Sequence, residues 1–163
     1  MSADLMVFEK SKTPTEPLDF LKWYYEKTEW NSDRDYFDIK GTSEPLVNFF
    51  MEIKEIFPEM NGPFAPSEED LENNPELEFR LTDYTIDDDL IYMGFAWSHA
   101  EEAEKIVEKL AFKHGLGYFD MFTLRFDENT SIPVPQISKE ELLIKVNKTD
   151  KKKKSFLSKL FGK

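Results

Sequence analysis

LEFRLTDYTI (residues 77–86), DDD (87–89) and LIYMGFAW (90–97) are followed by SHAEEAEKIVEKLAFKHG (98–115) and LGYFDMFTLRF (116–126). The first and third runs are rich in β-branched and aromatic residues and flank three aspartates, a pattern that predicts two strands joined by a tight hairpin. Ser98 stands three residues before Glu101, the spacing of a helix capping box. Ala100, Ala103, Val107, Leu110 and Ala111 then recur at helical intervals until Gly115, which predicts a helix with one apolar stripe. Residues 116–126 return to strand character, as one or two strands, so this stretch alone reads β-β-α-β.

Upstream, LMVF (5–8) reads as a short strand. Thr15 as cap and Pro17 in the first turn predict a helix over about Glu16–Glu29, with Phe20, Leu21, Tyr24 and Tyr25 on its core side. Trp23 and Trp30, seven residues apart, then share a face that can anchor a partner. Ser43 opens a second helix whose stripe of Leu46, Phe49, Phe50, Ile53 and Phe57 runs to Pro58. EMNGPFAPSEEDLENN (59–74) reads as loop. Ser138 precedes KEELLIKV, a last short helix. The order β, α, α, β, β, α, β predicts an α+β fold: a mostly antiparallel sheet with helices packed on one face, a ferredoxin-like variant with an extra helix. Residues 1–147 are expected to form a single acidic domain and residues 148–163 a basic linker with an amphipathic C-terminal tail.

At 163 residues, 40% of them hydrophobic, the chain is long enough for one proper core. It has 21 basic and 33 acidic side chains, for a net charge of −12. Residues 151–163 hold six of the lysines and no acid, which leaves the rest of the chain at −18. Such a field repels nucleic acid and speeds encounter with basic partners, so no direct nucleic-acid binding is expected. There is no cysteine, which removes disulfides and thiolate metal sites. The first ten residues lack the pattern of a signal peptide and no run approaches a spanning helix, so a cytoplasmic location is expected.

Catalytic motifs are absent. His99 and His114 fall at opposite ends of one predicted helix, roughly 22 Å apart, and do not share a site. No serine has the setting of a nucleophile elbow, and GLG (115–117) follows a helix where a phosphate loop precedes one. Asp87, Asp88 and Asp89 suit a cation or an acid–base pair in chemistry, but an EF-hand type loop alternates its ligands, and a solvated turn is the expectation. No cofactor, no metal and no catalytic residue is expected.

Between Glu59 and Asp89 stand eleven acids against one base, Arg80. Glu68, Glu69, Asp70, Asp87, Asp88 and Asp89, with Phe64 in GPFAP as an apolar contact, are the candidate docking surface for a basic protein. In the tail, Lys151, Lys152, Lys153 and Lys154 precede Phe156, Leu157, Leu160 and Phe161, which fall on one side of a helix. Contact with anionic membrane, folding back onto the acidic body, a partner's groove and a disordered end all remain open for it.

FAWSHAEEAEKIVEKLAFKHGLGYFD (95–120), with LMVFE (5–9) and WYYEKTEW (23–30), resembles a family of small acidic bacterial proteins without an assigned reaction, over most of residues 4–121. The chain is similar in this to the immunity proteins of bacterial toxin systems. That resemblance implies a compact acidic α+β domain that neutralises a basic toxin, often a nuclease, by covering its active site. It carries over no catalytic residue. The expected function is therefore a non-catalytic inhibitor, with a membrane-peripheral scaffold or adaptor at the inner membrane surface as the alternative.

Overall fold

Alternation along two strands builds the core. In the computed structural model, which describes residues 1–162, the elements in chain order are β1 Ser2–Phe8, α1 Pro17–Lys27, α2 Glu44–Ile53, α3 Glu68–Asn73, β2 Asp83–Ile86, β3 Leu90–Ala96, α4 Ala100–Lys113, β4 Gly117–Phe119, β5 Thr123–Arg125, β6 Ile132–Pro133 and α5 Lys139–Phe161. Short 3-10 turns lie at Lys10–Lys12, Pro75–Arg80 and Trp97–His99. The chain divides into two units, one of Met1–Thr13 with Ser32–Pro133, the other of Pro14–Asn31 with the residues from Val134 onward.

In the first unit six strands pair antiparallel in the order β2-β3-β1-β4-β5-β6. The first four of these follow the split β-α-β order of a ferredoxin-like sheet, and β5 and β6 extend it. Leu5 and Val7 of β1 and Ile91, Met93 and Phe95 of β3 point to one face. There they meet Phe49, Phe50 and Ile53 of α2 and Ala103, Val107 and Ala111 of α4. The α+β class, the antiparallel sheet and the helices on one face are as the sequence predicts. In the other phase Phe8 is buried edge-on to Phe126. It faces Gly117 across the β1–β4 pair, where a Cβ would come within 2.1 Å of the Phe8 ring.

Both ends of the outer strand β2 are tied down. Thr82, just before it, donates its N–H to Pro58 O and accepts from Met60 N–H. Ile86, its last residue, donates to Tyr36 O and accepts from Arg34 Nε. At the far edge β6 is two residues long and ends in proline.

Local expectations are revised in several places. Only residues 83–86 of the expected strand 77–86 are extended, because Pro75 starts a 3-10 turn that runs to Arg80. The expected loop 59–74 contains α3, capped reciprocally by Ser67 and Asp70. The capping box expected at Ser98 and Glu101 does not form; His99 is the cap without a side-chain bond, and the preceding 3-10 turn leads the chain into α4. Gly115 ends α4 with φ +70°, as its sequence position implies.

In the second unit Glu16, not Thr15, caps α1, its carboxylate accepting from Leu18 and Asp19 N–H at 3.0 Å. α1 lies antiparallel to α5. Tyr25 Oη donates to Ile137 O and Lys139 pairs with Glu29 near the end of α1, while Leu18 near its start lines a cleft with Val146 and Thr149. α5 begins at the expected Ser138 cap but runs unbroken to Phe161, so the boundary expected at residue 147 falls inside one helix. Lys163, last residue of the expected tail, lies outside the described residues.

Candidate functional site

The acidic band is split by the strand it contains. Glu59 forms a bridge to Thr82 at the start of β2, whereas Asp87, Asp88 and Asp89 follow its end. Four extended residues at about 3.3 Å each separate the two groups by roughly 13 Å. Phe64 joins the first group through its N–H bond to Glu59 Oε2, and Glu68, Glu69 and Asp70 follow it in the chain ahead of β2.

The aspartate turn is structural. Asp87 and Asp89 are buried, at 9% and 7% exposure, which corrects the expectation of a solvated turn. Asp87 N–H bonds Leu90 O and closes the hairpin; Asp88 O accepts from Ser43 N–H, Asp87 O from Thr42 Oγ1, and Asp89 O from Glu9 N–H. Two distant segments, at Glu9 and at Thr42–Ser43, are thus pinned to one turn, and only Asp88 faces solvent. The carboxylate oxygens of the three aspartates lie within 4.8 Å of one another. The backbone groups of the turn are committed to Leu90, Thr42, Ser43 and Glu9, which makes it an anchor of the hairpin.

The first group offers a surface. Glu68, Glu69 and Asp70 are exposed on the first turn of α3. Asp70 is committed to its cap: both Ser67 N–H and Ser67 Oγ donate to it, which holds its carboxyl below the usual aspartate range. Glu72, Glu76 and Glu78 continue the exposed acidic run. Phe64 sets one side of its ring against Phe50 and receives the Lys54 ammonium 5.0 Å from its centroid. Its backbone N–H donates to Glu59 Oε2 at 2.8 Å. Glu59 itself, counted in the sequence among the surface acids, is fully buried.

No family model, curated protein or solved structure matches the chain. These comparisons lend no support to the expected resemblance to immunity proteins, and the surface is read from its own chemistry.

Two residues that the sequence reading passed over belong to it. Phe79 is 63% exposed and Trp97 60%. Arg80, next to Phe79 in the chain, donates from its guanidinium to both Glu102 oxygens at 3.0 and 3.1 Å, and His99, two residues after Trp97, has its Nδ1 3.3 Å from Glu102 Oε2. Arg80 and His99 hold the Glu102 carboxyl below the usual glutamate range. The single base of the band is thus occupied and stacked 5.2 Å from the Phe57 ring. Both aromatics sat inside predicted strands. Pro75 was the available signal that Phe79 lies in a turn.

Elsewhere, Trp23 and Trp30 share no helix face, since α1 ends at Lys27 and Trp30 takes φ +48°. His114 Nε2 meets Glu52 Oε2 at 2.8 Å at the end of α4, far along the helix from His99. Lys151, Lys152, Lys153, Lys154, Phe156, Leu157, Leu160 and Phe161 are all exposed on α5. Among the described residues no helix is long and apolar enough to cross a membrane.

Proposed function

We propose that this chain is a non-catalytic binding protein of the immunity type, which neutralises a basic protein toxin by covering it with an acidic surface. One observation carries the reading: Phe79 and Trp97 stand exposed, and every charged side chain from Glu68 to Glu78, on α3 and the turn after it, is an exposed acid. Large aromatics supply most of the energy at protein interfaces, about 2 kcal/mol or more each at the strongest positions, and a charged rim selects the partner. Arg80, bound to Glu102, does not extend into that rim. Apart from Lys54, held over the Phe64 ring, the charges around these apolar anchors are acidic. Glu68, Glu69, Glu76, Glu78, Phe64, Phe79 and Trp97 are its proposed contacts; Asp87 and Asp89 are not.

The test is capture from toxin-producing cells of the source organism, using the wild-type chain and a variant with Glu76→Gln, Glu78→Gln, Phe79→Ala and Trp97→Ala. A basic toxin held in equal stoichiometry, silenced by the wild type and released by the variant, is expected. A toxin held equally by both overturns the placement, and the absence of any basic partner overturns the reading.

A further inference from the structure

The last two turns of α5 have no counterpart in α1. α1 is 11 residues long and α5 is 23, and the two run antiparallel from the Lys139–Glu29 end. The start of α1 lies level with Val146, Thr149, Asp150 and Lys153, which line a cleft of about 300 Å³ with Glu16, Leu18 and Asp19. Residues 154–161 extend beyond it by about 12 Å.

The apolar stripe is interrupted at Thr149 and Lys153 and resumes beyond the end of the partner helix. Leu142 is the buried residue of α5, and Leu160 follows it by 18 residues, about five whole turns, so the two share one bearing. At roughly 100° per residue Val146, Phe156 and Leu157 fall within about 60° of that bearing, and Phe161 lies about 100° from it, on the flank. Phe156, Leu157, Leu160 and Phe161 are 51–82% exposed. Lys153 falls on the same stripe, and it lines the acid-bearing cleft at the start of α1. Lys145, Lys148, Lys151, Lys152, Lys154 and Lys159 lie on the flanks and back of the helix. An apolar sector with lysines along both flanks is the pattern of a helix lying in a lipid interface: the rings and leucines enter the acyl boundary while the ammonium groups reach the headgroups.

We infer that the exposed end of α5, from Lys151 to Phe161, docks on an anionic lipid bilayer surface, parallel to it, through Phe156, Leu157, Leu160 and Phe161. Charge selects the lipid. Of residues 148–161 only Asp150 is acidic, whereas the rest of the chain is strongly negative and would be repelled without this end. The inference does not depend on the inhibitor reading, since it uses the opposite sign of charge and other residues.

The test is flotation of the full-length chain with vesicles of phosphatidylcholine alone and with phosphatidylserine added, alongside sedimentation velocity without lipid. One variant carries Phe156→Ser and Leu160→Ser, another Lys151→Gln, Lys152→Gln and Lys154→Gln; circular dichroism confirms that both keep the fold. The wild type should partition to the anionic vesicles, and each variant at least about tenfold less. A folded wild type that floats with neither vesicle overturns the inference, as does equal flotation of wild type and variants. A wild-type dimer that Leu160→Ser dissociates, without vesicle binding, overturns it by assigning the stripe to a second copy.

Discussion

A buried carboxylate is costly unless both oxygens find donors, and at Glu59 Oε2 receives the Phe64 N–H while Oε1 has no hydrogen-bond partner. Burial pushes its carboxyl above the ordinary glutamate value of 4.5, opposed by the Phe64 bond and the nearby Lys54 ammonium. Between 4.5 and the raised value the native chain keeps a proton that the unfolded chain has released. Stability from this group therefore falls as pH rises through that window, and the penalty is complete above it. Glu59→Gln removes the titration, so urea unfolding should show the variant gaining stability on wild type as pH rises from weakly acidic to neutral. Parallel pH profiles would contradict the assignment. Gly117 makes a different demand: Gly117→Ala drives a methyl into the Phe8 ring and should cost about 1–3 kcal/mol in the same measurement. Neither residue announced its role in the sequence. Glu59 sits in an acidic, proline-rich run that reads as solvated, and it is closed in by a loop that turns at Gly62 with φ +114°. Asp87 and Asp89 are buried for a related reason, since the groups that bind their carbonyls come from residues 9 and 42, far away in the chain.

Elements with a strong apolar period were legible. α2, β3 and α4 lie where their stripes and alternation put them, because burial of one face decides both type and position. The failures are of another kind. Residues 75–80 alternate charge and apolar character as a strand would, but Pro75 fixes a turn, and without that turn Phe79 would not stand in solvent. The lysine run of residues 151–154 is polar enough to suggest a linker, but lysine is a good helix former that needs no buried face, and the run is helical within α5. α3 is short, exposed and held by the Ser67–Asp70 reciprocal bonds. Ser67→Ala should loosen it by about 1 kcal/mol, seen as faster amide exchange at Asp70 and Leu71 while exchange in β1 and β3 is unchanged. Slowed or unaltered exchange at Asp70 would show that the cap contributes nothing.

For the chain as a whole, the excess of acids implies self-repulsion in the native state at neutral pH. Salt screens it, so the thermal midpoint should rise by a few degrees between about 0.01 and 0.15 M sodium chloride, where the screening length shortens from about 30 to 8 Å. A midpoint that falls would mean that local pairs such as Arg80–Glu102 and His114–Glu52 outweigh the general field. The sheet order was within reach of the sequence, because a β-β-α-β run after a first strand has few right-handed solutions. The division of the acidic band was not, since it depends on which end of β2 each acid occupies.

The borders of the sheet bear on how copies of this protein behave when concentrated. A sheet grows into fibrils by adding strands at an open border, where unpaired amide and carbonyl groups template the next chain. Here one border has its end groups taken by Arg34, Tyr36, Pro58 and Met60, and the other is a two-residue strand closed by Pro133, which has no N–H to offer. Both ends of one border and the whole of the other are therefore guarded against strand-by-strand polymerisation of the folded protein.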